Sequence, residues 1–461
     1  MPVNKDFYTL AGSSGQSTGY TIDQSIRFNP GDSPYMHKTY SGAGDRTSWT
    51  WSCWFKLGSL NGFTPGSNLY YTFFSVDEAT NDANRGTFQI IADSGVASAI
   101  QFQFLGHSTV FLKTNRQFRD PTAWYHLVLV WDSDNAVASN RARLYINGER
   151  ETSFATENNP SSGQEIGINL AAQHKIGAAK NISNSNIIYY WDGYMAEIHF
   201  LDGYSYGPEY FGEFDDYGIW RPIEYTGSYG TNGFKIDGRD ASDLGDDESG
   251  NGNDYTTSGL AANDQQPDSP TNNHAVMNPL DVAHNGYTVF SEGNLAFTYS
   301  GSSARELARS SITIPASTDG FFEVKITATL GSGVDFAIGI EDGSALQDAS
   351  NTTYTNAYVI REDGTFSTTG SSGSTSYGVS FTNNDVIGVW RKANGDLVFY
   401  KNGTAMNSGT PAVTGVTGEM HFVAGGFNNG AGIARFASSQ WTNTPTGVSS
   451  SMALNTKNLG S

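Results

Sequence analysis

Cysteine is almost absent from the chain. Cys53 is its only thiol, so no internal disulfide can form, and its place inside an apolar run marks it as a small core side chain. Cationic side chains are also scarce: 26 Lys and Arg face 46 Asp and Glu, a formal charge of −20. No basic cluster occurs, and this excludes the Lys/Arg-rich footprint that binds phosphate backbones or anionic membrane surfaces. Charged residues reach only 16% of the 461 positions, too few for coiled coils or long solvated helices. No stretch approaches the ~20 apolar residues of a membrane-crossing helix. The first twenty residues lack a signal-type apolar core, so synthesis in a cytoplasm is the expectation. Helical periodicity beyond two turns is missing; Ala304–Ser311 is the one short candidate turn.

What the chain has is aromatic side chains, 13% of it, and 53 glycines. Short alternating apolar runs separated by Gly, Asn, Asp and Ser predict an all-β protein of two sandwiches. In the first half, strands are expected near residues 47–57, 69–76, 86–92, 99–105, 124–131, 143–147 and 189–201. In the second half they are expected near 287–290, 295–299, 320–329, 335–340, 353–360, 385–390, 396–401 and 421–425. The halves echo each other: Trp131 precedes a hairpin turning at Asn147-Gly148, and Trp390 one turning at Asn402-Gly403. Asn-Gly suits the type I′ turn, whose two central residues both need positive φ. The expected organisation is an arm (1–20), a sandwich (21–203), an aromatic connector (204–236), an acidic Gly/Asn-rich linker (237–284), a second sandwich (285–441) and a tail (442–461).

Several segments are candidates for chemistry. The connector holds nine aromatic rings between Tyr204 and Gly230, too many for a free tether, and is read as packing across the first sandwich. The acidic stretch crowds Asp237, Asp240, Asp243, Asp246, Asp247 and Asp254 among glycines. Such oxygens can ligate Ca²⁺, and repulsion between them favours a cation, although a solvated linker needs none. For glycan binding, ring stacking and amide hydrogen bonds point to the loops 61–71 and 365–377, and to Tyr70, Tyr71, Tyr217, Trp220 and Tyr377 as ligand or partner residues. Along the Ser48–Gly58 run, Trp49 and Trp51 share one face and Trp54 takes the other, which suits core packing. His126 and His199 lie inside apolar runs and are read as satisfied core imidazoles. A retaining glycosidase needs paired carboxyl groups. The nearest pattern, Glu213-Phe-Asp215-Asp216, has Tyr217 and Gly218 where a closing Glu is required. Glu197 and Glu323 lack partners in sequence. A non-enzyme is expected, with a glycan hydrolase as the lesser alternative.

The segments SWTWSCWFKLG (48–58), WYHLVLVWDSD (124–134), RLYINGERE (143–151), HKIGAA (174–179) and WDGYMAEIHFLDG (191–203) together resemble the laminin-G-like, concanavalin A-like jelly roll. FFEVKI (321–326), FAIGIEDG (336–343), YVIREDG (358–364), NNDVIGVW (383–390) and DLVFYKNG (396–403) resemble a SPRY-like domain. The junction from Phe211 to Gly238, followed by DESGNGNDYTTSGL (247–260), is similar to connectors in structural proteins of tailed bacteriophages. These resemblances imply a structural protein on a virion surface, as tail fibre, adhesin or head decoration. Its partners would be other virion proteins, further copies of itself and host cell-surface polysaccharide, with no nucleic acid and no membrane insertion. A stand-alone carbohydrate-binding lectin is the alternative. Phe7, Tyr8 and Leu10 are candidate docking anchors.

Overall fold

The computed structural model describes residues 19–59, 69–76, 85–92, 100–106, 109–181, 184–282, 288–300, 306–330, 335–343, 357–368, 375–427 and 429–459. The proposed anchors Phe7, Tyr8 and Leu10, most of loop 61–71 and residues 369–374 of the second candidate loop lie outside them. The chain forms two compact units, one ending at Thr271 and the other starting at Asn272. Both are β-sandwiches with antiparallel pairing throughout the described strands; the sole α-helix among described residues is the short Thr456–Leu459.

In the first unit, one eight-stranded sheet runs Glu149–Arg150, Ala142–Ile146, Trp124–Asp132, Ser48–Leu57, Gly193–Asp202, Ser25–Phe28, Gln265–Gln266, with Phe234–Ile236 also paired to Gly193–Asp202. The second eight-stranded sheet runs Phe154–Glu157, Thr109–Thr114, Ile100–Gly106, Gly86–Ala92, Leu69–Val76, Gln173–Ile176, Tyr35–Thr39, Thr256–Ser258. Alternation decides what lies between them. Trp49, Trp51, Cys53 and Phe55 point inward to meet Phe73, Phe74, Phe88 and Phe104 of the other sheet. Trp54 takes the opposite face, beside Ile22 and Ala196, as the two-residue period requires.

The second unit pairs two seven-stranded sheets. One runs Met277–Val282, Glu306–Ile314, Met420–Phe427, Asp335–Glu341, Ala357–Arg361, Thr365–Ser367, Thr375–Ser376; the other runs Thr288–Ser291, Ala296–Tyr299, Ala431–Arg435, Gly320–Ile326, Val386–Arg391, Leu397–Lys401, Thr404–Ala405. The two Asn-Gly hairpins form as expected, with φ of 50° and 79° at Asn147-Gly148 and 49° and 78° at Asn402-Gly403. They share a further device: the Asn147 side chain accepts from the His126 N–H at 2.7 Å, and Asn402 accepts from the Val386 N–H at 2.8 Å.

Two expectations are corrected, and the tail finds its place. The acidic stretch is no linker as far as Thr271: Thr256–Ser258 pairs with Tyr35–Thr39, and Gln265–Gln266 pairs with Ser25–Phe28, completing both sheets of the first unit. The tail packs on the second unit: its Val448 and Met452 join Trp441 against Phe321, Val398 and Tyr400 on the outer face. Of the candidate turn at Ala304–Ser311, residues 306–311 instead open the strand Glu306–Ile314, paired with both Met420–Phe427 and Met277–Val282, while 304–305 lie outside the described residues. Ala, Glu, Leu and Arg favour helix locally, and ladder pairing on both edges overrides that weak preference.

Candidate functional site

The outer face of the first sheet carries polar side chains beneath the connector. Phe211, Tyr225 and Tyr229 pack on Val128, Val130 and Leu201, and Trp220 lies against the cluster of Ile22, Trp54 and Ala196. The connector therefore roofs this face, as its ring content predicts. Two histidines lie under the roof. The Trp220 indole N–H donates to His126 Nδ1 at 3.0 Å, so the neutral ring carries its proton on Nε2 and donates it to Ser52 Oγ, 2.8 Å away. A histidine in that tautomer cannot take the serine's proton, so this pair is no nucleophile–base couple. Burial drives the His126 pKa down to about 3, which keeps the ring neutral.

Beside it, Glu197 sits at a bulge with φ of 47°, in the region few bulky residues adopt. His199 Nε2 lies 3.1 Å from its carboxylate, Lys235 Nζ 3.5 Å, and Tyr229 Oη is 2.9 Å from His199 Nδ1. Burial alone would raise the Glu197 pKa. The His199 hydrogen bond, the charges of His199 and Lys235 and the Tyr20 hydroxyl outweigh it and hold the pKa at about 2.

A test follows from the sign of these shifts. Glu197 (about 2 against an ordinary 4.5), His126 (about 3 against 6.5) and buried His174 (about 4) all bind protons more readily in the unfolded chain. Stability of the first unit should therefore fall as pH drops below about 6.5, with the Glu197 share intact above pH ~4.5 and lost toward pH 2. Glu197→Gln should cost roughly 3 kcal/mol at neutral pH and flatten the limb below pH ~4.5 in urea titrations. An unchanged acid limb in that variant would refute the assignment.

The sequence-derived carboxylates are spread out and largely occupied. Asp237 pairs with Lys235 and Arg239, Asp240 accepts from Ser242, Asp243 from the Gly245 N–H, and Asp254 from the Asp247 N–H. Asp247 accepts from the Lys235, Ser249 and Asn253 N–H groups and the Ser249 hydroxyl. Asp246 has its pKa raised by burial and then by the charges of Asp254, Asp243, Asp240 and Asp247. Among the described residues, no three acidic, histidine or cysteine side chains converge as metal ligands. Backbone N–H dipoles supply the compensation that the spacing alone assigns to a cation.

The hydrolase pattern falls on a surface hairpin, Gly212–Phe214 with Trp220–Pro222, where Asp215 is held by Arg221 at 3.0 Å. Glu323 is buried and accepts from Arg435 and the Thr442 and Asn443 N–H groups. Of the aromatic candidates, Tyr71 and Tyr377 are core residues: Tyr71 faces the first core, and Tyr377 packs on Phe366 and Phe399 while its hydroxyl donates to the Thr410 carbonyl. Trp220 is half-buried in the roof, and Tyr217 stands exposed at the hairpin tip.

Tyr70 points the other way from Tyr71, onto the outer face of the second sheet. Strand register lays a polar row across that face, Thr72, Gln89, Gln103 and Lys113, beside a second row of His37, Lys175, Ser75 and Thr87. Gln89 donates to Gln103 at 2.8 Å. Among the described residues, the Thr72 and Thr87 hydroxyls are buried without a hydrogen-bond partner, an uncommon expense for a sheet face. At its edge the Tyr70 ring lies 4.7 Å from that of Tyr189, whose φ of 60° is strained for an aromatic residue. Tyr190 and Tyr35 continue the line of rings, 6.5 Å apart. Of this set, sequence reading singled out Tyr70 alone. The amide rows emerge only from register, and Tyr189 only from its backbone conformation.

Residues 31–204 match the family model described as the concanavalin A-like lectin/glucanases superfamily, laminin G type. The first sandwich is a concanavalin A-like jelly roll. The polar rows and tyrosines above therefore belong to the outer face of the concanavalin A-like sandwich. No curated protein matches the chain in sequence. Among solved structures, the chain is similar to the SPRY domain of human HERC1 (15% identity, 34% of this chain and 95% of that one, TM-score 0.28). It is similar to a SAP-like pentraxin of Limulus polyphemus (16%, 40% and 78%, TM-score 0.29) and to domains LG4-5 of the mouse laminin α1 chain (8%, 92% and 90%, TM-score 0.28).

Proposed function

We propose that the protein is a non-catalytic contact protein that binds glycan on the outer face of the second sheet of its first sandwich. The observation that carries this reading is the Tyr70–Tyr189 ring pair, held by a strained backbone beside a row of amide and hydroxyl side chains. Rings cover the C–H faces of sugars, while the half-buried Gln103 amide, held by Gln89, can exchange hydrogen bonds with sugar hydroxyls. The lectin/glucanase description of the matching family supports the same ligand class. Against catalysis stand the scattered carboxylates and the His126 tautomer.

On a polysaccharide array, the wild-type chain should bind at least one surface glycan. Tyr70→Ala and Tyr189→Ala should each weaken binding about tenfold or more with unchanged melting, in line with stacking worth ~1–2 kcal/mol. No reducing ends should be released. Equal binding by wild type and both variants would refute the site, and no binding at all would refute the function.

The same reading places the chain on the surface of a tailed bacteriophage particle, as fibre, adhesin or decoration, in contact with other virion proteins and further copies of itself. What supports it is the resemblance of residues 211–238 and 247–260 to phage connectors. Mass spectrometry of purified particles, with and without this chain, tests it.

A further inference from the structure

The connector carries a second surface, separate from the polar face above. Tyr210, Phe214 and Tyr217 are 42%, 50% and 67% exposed, three large rings within eight residues. They ride on a rigid mount. Asp215 accepts from the Tyr217 and Ile219 N–H groups at 3.0 and 2.8 Å and holds Arg221 at 3.0 Å, which fixes the hairpin turn. Phe214 meets Trp220 edge-on at 4.9 Å, and Trp220 is bolted down against Gly148, Gly212 and His126. Tyr206 stacks on Tyr210 at 4.1 Å and 8°, giving that ring a fixed plane. Exposed apolar surface on a pre-ordered element costs nothing further to organise on binding, the usual property of an interface anchor.

Charge selects the occupant. From Tyr204 to Gly230 the chain has five carboxylates, Glu209, Glu213, Asp215, Asp216 and Glu224, and one cation, Arg221, already engaged by Asp215. All the carboxylates but Asp215 are exposed. A second copy of a chain of formal charge −20 meets this surface with like charge, and so does a polyanion. Guanidinium groups suit it: they stack on ring faces and pair with carboxylates in one geometry.

We propose that the hairpin centred on Asp215–Gly218 docks an arginine-bearing protein segment, its rings covering guanidinium planes and Glu213 and Asp216 pairing with their edges. A hexa-arginine peptide titrated calorimetrically into the full chain is the probe, with hexa-lysine, hexa-glutamate and a neutral β-glucan hexasaccharide as comparisons. Hexa-arginine should bind saturably and more tightly than hexa-lysine. Tyr217→Ala/Phe214→Ala should weaken it tenfold or more with an unchanged melting curve, and Glu213→Gln/Asp216→Asn should weaken it and reduce its salt dependence. Tyr70→Ala should leave it unaltered, which separates this surface from the glycan site. Equal affinity for hexa-lysine and hexa-arginine with no loss in the ring variant would reduce the surface to diffuse attraction and overturn the proposal. So would glucan binding that the ring variant abolishes, which would make the hairpin a sugar platform.

Discussion

Trp51→Ala should destabilise the first unit by about 3–5 kcal/mol, the range for removing a large buried aromatic side chain. Trp51 is fully buried at the centre of the Ser48–Leu57 strand, with strands paired on both sides. Its ring lies 4.6 Å from Phe74, 5.3 Å from Phe88 and 6.1 Å from Phe234. These neighbours come from both sheets, so the vacated volume cannot be closed by moving one strand. Among the described residues the indole N–H has no hydrogen-bond partner, so the loss is one of packing and burial and not of a polar contact. Trp51→Phe should recover much of it. Urea denaturation followed by near-ultraviolet dichroism measures both variants. A cost near 1 kcal/mol for the alanine variant would mean that the core is looser than these ring distances imply.

Arg309→Met should cost the second unit about 3–5 kcal/mol, because it leaves a buried carboxylate without its counter-charge. Arg309 Nε and Nη2 grip Glu341 at 2.6 and 2.7 Å, while Nη1 reaches Asp281 at 2.9 Å. Glu341 is fully buried and Arg309 nearly so. The loss belongs to the pair and not to the arginine alone: Arg309→Met/Glu341→Leu should regain most of it, since an apolar couple of similar volume removes both desolvation costs. Arg309→Lys should fall between them, because an ammonium cannot reproduce the two-pronged contact. Chemical denaturation of wild type, Arg309→Met, Glu341→Leu and the double variant forms the cycle, with Arg309→Lys measured beside it. A single variant as stable as wild type would show that Glu341 finds water or a proton instead.

Strand positions were largely legible because alternation is local. The Leu69–Val76 and Gly86–Ala92 strands follow from side-chain period, and both Asn-Gly turns from the φ those residues tolerate. The opposite facing of Trp49 and Trp54 follows from the same period. The connector's role was legible from ring content alone, since nine aromatic side chains cannot stay solvated. Less legible was the segment after Ile236. Its Asp, Asn and Gly composition reads as linker because its stabilising contacts are distant in sequence: Lys56 Nζ to Asp268 at 2.8 Å, Arg27 to Asp264 at 3.0 Å, and Asn253 to the Gly233 carbonyl at 2.9 Å. Composition registers charge and flexibility, but not which donor will stand opposite each carboxylate.

The choice between Tyr70 and Tyr71 shows the same divide at the candidate site. Adjacent tyrosines on a strand must face opposite ways, so sequence alone established that one of them is buried. Which one is settled by the register of Leu69–Val76 against Gly86–Ala92, and with it the alignment of Thr72, Gln89 and Gln103. The amino-acid sequence by itself determined the all-β class, the two sandwiches, the hairpin turns and the lack of a second thiol for an internal disulfide, because these depend on composition and on neighbours one or two residues apart. Tertiary structure alone decided which carboxylates are consumed by backbone donors, which proton His126 carries, and which rings reach the surface, because each depends on a partner brought from tens or hundreds of residues away.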